Sequence, residues 1–322
     1  MLAPLLAAVL FSTTPNTSLQ SGPAQVQPAI PSANAPTDLE DVVVEGRRLN
    51  DQVQSFVREV GQPSNGRGLA RWRNGLCAGV ANLETDAAQY LVDRVSDVAR
   101  DLGLRAGAPG CAPNVLIIVT PDAQAFTPQF VALRPRAFRV GGSGMDTGSS
   151  GLRAFENSDA AVRWWHVSVP VDQTGEIAVR LPGYCGGICE SRDGNPMNMA
   201  PHIKAVASRL LSSTEDDMQR VLIIVDADKI SGVDLDQLGD YVAMIALAQI
   251  NPEAETTGYS SVLNLFNDPE HTPGLTNWDR TYLEGLYGAV RTRLNRNTAR
   301  GEIASSIIRA HHRLVAREDE QP

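Results

Sequence analysis

From Tyr241 to Ala248 the chain reads YVAMIALA, eight residues without a charge. They sit inside a stretch, 233–250, that suits a helix, with Ser231 or Asp234 as its cap and Asn251-Pro252 as its stop. A helix apolar on every side must be covered on every side. The rest of the chain therefore has to build layers around this one element. Two continuous apolar runs, Asn114–Thr120 (NVLIIVT) and Val221–Val225 (VLIIV), read as strands buried on both faces. Trp164–Val171 reads as a third strand, expected to pair with Glu176–Leu181 across a turn at Asp172–Gly175. Helical spacing covers 84–102, where Ala87, Leu91, Val95, Val98 and Leu102 share a face. Further helices are expected at 201–211, at 276–287 with Thr276 and Asp279 as a capping box, and at 298–317. Strands and helices that mix without strict alternation, and without an internal repeat, predict an α+β fold with a mixed β-sheet packed with helices.

The N-terminus reads differently. Leu2–Phe11 (LAPLLAAVLF) is an apolar run too short to span a bilayer, followed by small and polar residues. This is the pattern of a signal peptide over 1–20, with a Pro-, Ala- and Ser-rich linker over 21–45. Within Asp41–Leu49 a short strand with a turn is expected. A single globular domain over 46–290 and a basic amphipathic helix and tail over 291–322 complete the organisation. No other stretch reaches the roughly 18 apolar residues of a membrane span. The expected location is periplasmic or secreted, and an oxidising compartment favours disulfides. Four cysteines allow three pairings. The preferred one is the local pair Cys185–Cys189, whose loop holds Gly186 and Gly187, together with Cys77–Cys111. A redox dithiol would need one residue fewer between Cys185 and Cys189, and a four-cysteine zinc site usually has two close pairs.

Charge narrows the partners. With 28 Lys and Arg against 37 Asp and Glu the net charge is −9, which argues against a nucleic-acid binder. Basic residues concentrate in 289–317, where seven arginines accompany one acid, Glu302. There Ile303, Ile307, Ala310 and Leu314 form an apolar stripe, and Arg309, Arg313 and Arg317 lie on another face. That pattern fits a helix docked on the core with a solvated face; contact with an anionic surface is the sharper alternative.

Few residues offer chemistry. Asp226, Asp228, Asp234, Asp236 and Asp240 fall within fifteen residues after a buried strand, where carboxylates could serve a hydrolase, with or without a divalent cation. Ile230 and Ser231 break an EF-hand pattern, and Asp234 and Asp236 also suit a helix N-terminus. Asp146–Ser150 (DTGSS) matches the loop of pepsin-like aspartic peptidases, but a Gly/Ser-rich segment precedes it and no second copy exists. His166 follows Trp164-Trp165 in a strand and reads as a packed histidine. There is no G-x-S-x-G, no P-loop and no dinucleotide fingerprint, and no cofactor is expected.

Leu275, Thr276 and Asp279, followed by Leu286-Tyr287-Gly288, match the closing helix of another architecture. Ser260–Asn264 precedes them as a turn, and the uncharged helix at 233–250 precedes that. In this order the last third resembles a metzincin-type zinc peptidase, and it is similar to a bacterial family of unknown function with degenerate zincin-like cores. The resemblance covers roughly 84–290 in element order and is specific over 233–288. It implies a metzincin-like core with one fully buried helix where H-E-x-x-H-x-x-G-x-x-H would lie. This chain has no His between His202 and His271, and Leu263 stands where the turn's Met would be. Asp240 and Met244 take the spacing of the ligands and Tyr241 that of the general base, so metal and catalysis do not carry over. The expectation is an exported, non-catalytic binding protein for a peptide or an envelope component. Its candidate cleft holds Asp226, Asp228, Asp240, Tyr241 and Met244.

Overall fold

Six strands, β1 (Gly75–Leu76), β2 (Ala78–Ala81), β3 (Arg105–Ala106), β4 (Val115–Thr120), β5 (Val162–Asp172) and β6 (Thr214–Asp226), frame this computed structural model. β1 and β3 form a small parallel pair, and the main sheet runs β2-β4-β6-β5. β2, β4 and β6 are parallel, with Val115 beside Val221 and Thr120 beside Asp226, while β5 runs antiparallel along the edge of β6. The structure describes residues 39–138, 144–179, 181, 203–205, 207–292 and 295–320. The chain divides into two units, Met1–Val42 and Val43–Pro322, and both sheets belong to the second.

Eight α-helices occur among the described residues: α1 (Leu39–Val60), α2 (Thr85–Asp101), α3 (Ala123–Leu133), α4 (Pro135–Phe138), α5 (Gly148–Glu156), α6 (Leu235–Leu247), α7 (Asn277–Gly288) and α8 (Arg296–Asp319). Alternate residues of β4 and β6 divide them. Val115, Ile117, Val119, Val221, Ile223 and Val225 join the larger core with α1, α2, α6, α7 and α8. Leu222 and Ile224 meet Ala123, Phe138 and Phe155 from α3, α4 and α5 on the other face. A sheet covered on both faces needs the continuous apolar strands that the sequence displays. The class is α+β with a mixed sheet.

Three expectations are corrected. The main partner of Trp164–Val171 is β6, whose first half (TEDDMQR) is polar; the described part of Glu176–Leu181 meets the end of β5 through the isolated bridge Val171–Ile177 and the bonds Ala178 N–H to Pro170 O and Asp172 N–H to Glu176 O, both 2.8 Å. The expected helix at 201–211 is not helical over its described residues. Ser208 Oγ accepts Leu210 N–H at 3.2 Å and Ser212 Oγ accepts Thr214 N–H at 3.1 Å, so hydroxyls close local turns in place of i−4 bonds. The strand and turn at 41–49 are the first turns of α1, and the linker gives way to helix at Leu39. Tertiary packing holds α1: Val53, Phe56, Val57 and Val60 are buried, and Phe56 meets Tyr259, Trp278 and Tyr282 edge-on with centroids 4.9–5.4 Å apart.

Cys77 and Cys111 form a disulfide. Cys77 lies between β1 and β2, where its N–H donates to Asn114 Oδ1 at 2.7 Å, so the bridge ties both parallel pairs to the loop that enters β4. Cys185–Cys189 lies outside the described residues, as do residues 1–38 with the signal-like run. No helix among the described residues is long and apolar enough to cross a membrane.

Candidate functional site

α6 opens at Asp234, whose N–H donates to Gln237 Oε1 at 2.9 Å, and Leu238 to Leu247 are all buried. Burying its far end creates a problem, because the last carbonyls of a helix have no partner within it. Met244 O accepts Ala248 N–H at 3.1 Å. The next three carbonyls are met by side chains from three other segments. His166 Nε2 reaches Ile245 O at 2.9 Å, Trp72 Nε1 donates to Ala246 O at 2.8 Å, and Tyr287 Oη donates to Leu247 O at 2.8 Å. A carbonyl only accepts, so Nε2 of His166 carries a proton. Burial holds its pKa down to about 4, the bond to Ile245 opposing that shift. The packed histidine in the third strand is thus a cap for α6.

The candidate cleft residues have separate partners. Asp226 is buried at the end of β6 and accepts Ala123 N–H at 3.2 Å, closing the first turn of α3. Asp228 and Asp234 are exposed. Asp236, also exposed, hydrogen-bonds Tyr90, and that bond raises the phenol's pKa. Asp240 pairs with Arg94 of α2 and accepts Leu275 N–H at 2.7 Å. Gly274 approaches it so closely that a Cβ would lie 2.3 Å from Asp240 Oδ2. Tyr241 is buried with its ring edge-on to Phe266 at 4.9 Å, and burial pushes its hydroxyl well above the usual tyrosine range. Met244 is fully buried. No three of the five aspartates are placed to hold a metal ion together.

Zinc is the metal that the metzincin resemblance brings to mind, and the donor set does not fit it. A carboxylate held by Arg94, a buried neutral phenol and a packed thioether offer no open tetrahedral set. Among the described residues no group of three His, Cys, Asp or Glu side chains is placed to hold a metal ion.

The turn and closing helix are built around one carboxylate. Asp279, fully buried in α7, accepts Ser261 Oγ–H at 2.6 Å, Val262 N–H at 2.8 Å, Thr276 N–H at 3.0 Å and Thr276 Oγ–H at 2.8 Å. Burial raises its pKa while these bonds oppose the rise. Beside this hub lies a cavity of about 270 Å³, lined by Ser260, Ser261, Asn264, Asp268, His271 and Thr276 among others. Gln237 of α6 steadies its rim by donating to Pro269 O and Thr272 O at 2.9 and 2.8 Å. His271 Nδ1 lies 2.8 Å from Asp268 Oδ1, but both side chains are exposed and no hydroxyl among the described residues is hydrogen-bonded to the imidazole. A nucleophile needs that link. The cavity suits polar recognition.

The aspartic-peptidase match does not make a site. Asp146 Oδ1 accepts Gly148 N–H at 2.8 Å, and DTGSS opens the helix α5 instead of ending a strand. On α8, Ile303, Ala304, Ile307 and Ala310 are buried, while Arg309 and Arg313 stand near Glu302 and Glu284 at 3.5 and 3.7 Å and Arg317 is exposed. Sequence reasoning missed Arg71, Trp72 and Tyr287 as functional or capping groups. Their only trace is the dense run GRGLARWR and the L-Y-G ending of α7. Comparison with protein-family models, with curated proteins and with solved structures found no match.

Proposed function

We propose that this chain is an exported, non-catalytic binding protein on a metzincin-like core that no longer carries zinc, with a peptide or an envelope component as its ligand. The observation that carries the reading is the fate of Asp240, Tyr241 and Met244. Each sits where the resembled family would present a ligand or a base, and each is consumed by packing or by an internal partner. The order of a buried helix, a turn bound to Asp279 and a capped closing helix supports the scaffold. The Cys77–Cys111 bridge supports an oxidising compartment. The polar cavity beside the turn offers hydroxyls and amides with little charge, which suits the backbone of a neutral peptide.

The test is to supply the purified chain with excess Zn²⁺ and to measure bound metal and cleavage of a mixed peptide library. Neither stoichiometric zinc nor chelator-sensitive cleavage is expected. Both together would overturn the reading and return the chain to the peptidases.

A further inference from the structure

A second cavity, also about 270 Å³, lies at the start of β6, the end remote from Asp226. Four arginines line it, Arg67, Arg71, Arg291 and Arg296, against one carboxylate, Asp216. Two of the four are already neutralised. Arg67 is paired with Asp216, which also accepts Gly68 N–H at 2.9 Å. Arg291 pairs with Asp217 and with Glu215 at 3.2 Å, and Arg73 shares both carboxylates at 2.6 and 2.9 Å.

The other two have no carboxylate partner among the described residues. Arg71 is only 4% exposed. Its Nη1 donates to Leu286 O and, at 3.0 Å, to Ala289 O, but its Nε finds no partner. Burial first, and then Arg291 beside it, hold its pKa down to about 10, with Tyr287, Glu215 and Asp217 opposing the shift. Arg296 is exposed and begins α8, and Ala299 of the same first turn also lines the cavity. This turn carries no acidic residue, so the positive end of a 24-residue helix faces the cavity without a counter-charge.

We propose that this cavity binds a phosphate dianion, free or as the ester of a small molecule. Counting Arg73, five guanidiniums meet three carboxylates, Glu215, Asp216 and Asp217, so two positive charges are left to match two negative ones, and a carboxylate would leave one cation unanswered. Guanidinium groups and helix N-terminal amides are the donors that suit phosphate oxygens. The site is distinct from α6 and from the cavity beside Asp279, so it stands whether or not the chain cleaves peptides.

Calorimetric titration of the full chain tests it, with inorganic phosphate and glycerol phosphate as probes and acetate at matched ionic strength as the control. Arg71 also holds the end of α7, so the informative variant is Arg296→Glu, set against Arg300→Glu, an exposed arginine outside the cavity with the same change in charge. Saturable binding of at least one phosphate probe is expected, weakened about tenfold or more by Arg296→Glu and little changed by Arg300→Glu. The tighter of the two probes identifies the source. No saturable binding, equal binding of acetate, or equal loss in both variants would overturn the proposal.

Discussion

His166 shows how one buried side chain sets a pH dependence. In the folded chain it stays neutral down to about 4, whereas an exposed histidine titrates at 6.5. Unfolding therefore takes up a proton between these values, and stability falls as pH drops from about 6.5 toward 4. The full effect is about 3 kcal/mol, on the scale of 1.4 kcal/mol for each tenfold change. Gln at this position keeps an N–H donor for Ile245 O without a titrating ring. His166→Gln is expected to shrink the difference between urea midpoints at pH 7 and pH 4.5. An unchanged difference would show that other groups govern the acid limb. The packed state of His166 was legible from its place after two tryptophans in an apolar strand. Its partner was not, because a carbonyl 79 residues away has no sequence signature. The aspartates failed for a related reason: spacing places carboxylates near one another in the chain, but Arg94, Ala123 and Leu275 decide where they point.

At the scale of elements, those with one dominant pattern were legible. α2 and α7 are periodic and capped, α6 is uncharged, and VLIIVT and VLIIV are continuous. Elements stabilised by tertiary contacts were not. α3 holds Pro128 in its interior, α1 depends on Phe56 entering an aromatic cluster, and the first half of β6 is polar because its charges pair with Arg67, Arg73 and Arg291. α6 gives the sharpest prediction. Ala246 is fully buried and its carbonyl is held by Trp72, so there is no route for a longer polar side chain to reach water. Ala246→Glu buries an unpaired carboxylate at a cost of several kcal/mol, comparable with a typical stability of about 5–15 kcal/mol. Loss of the folded circular dichroism spectrum, or of soluble protein, is expected. A soluble variant with the wild-type melting temperature would show that α6 is not central.

At the scale of the whole molecule, one covalent tie lies among the described residues, and its pairing is the one preferred from the sequence. Cys77–Cys111 spans 34 residues and encloses β2, α2 and β3. In the chain-entropy model a loop of that length contributes about 3–4 kcal/mol by restricting the unfolded chain. Reduction should therefore lower the unfolding midpoint in urea, and Cys77→Ser with Cys111→Ser should match the reduced wild type. Equal midpoints for oxidised and reduced protein would exclude a stabilising role. The fold class was legible at this scale because it needs only the kinds and sequence of elements. The site was less so, since its cavities are made by residues as far apart in the chain as Arg71 and Arg296.

The position of β6 has a consequence in time. It lies between β4 and β5 in the sheet but follows both in the chain. During synthesis VLIIVT and VRWWHVSVP therefore emerge before the strand that joins them. A chain stopped short of Thr214 leaves each without its central neighbour, and unpaired apolar strands recruit strands from other chains. A truncated product would be a hazard to its neighbours instead of a smaller working protein.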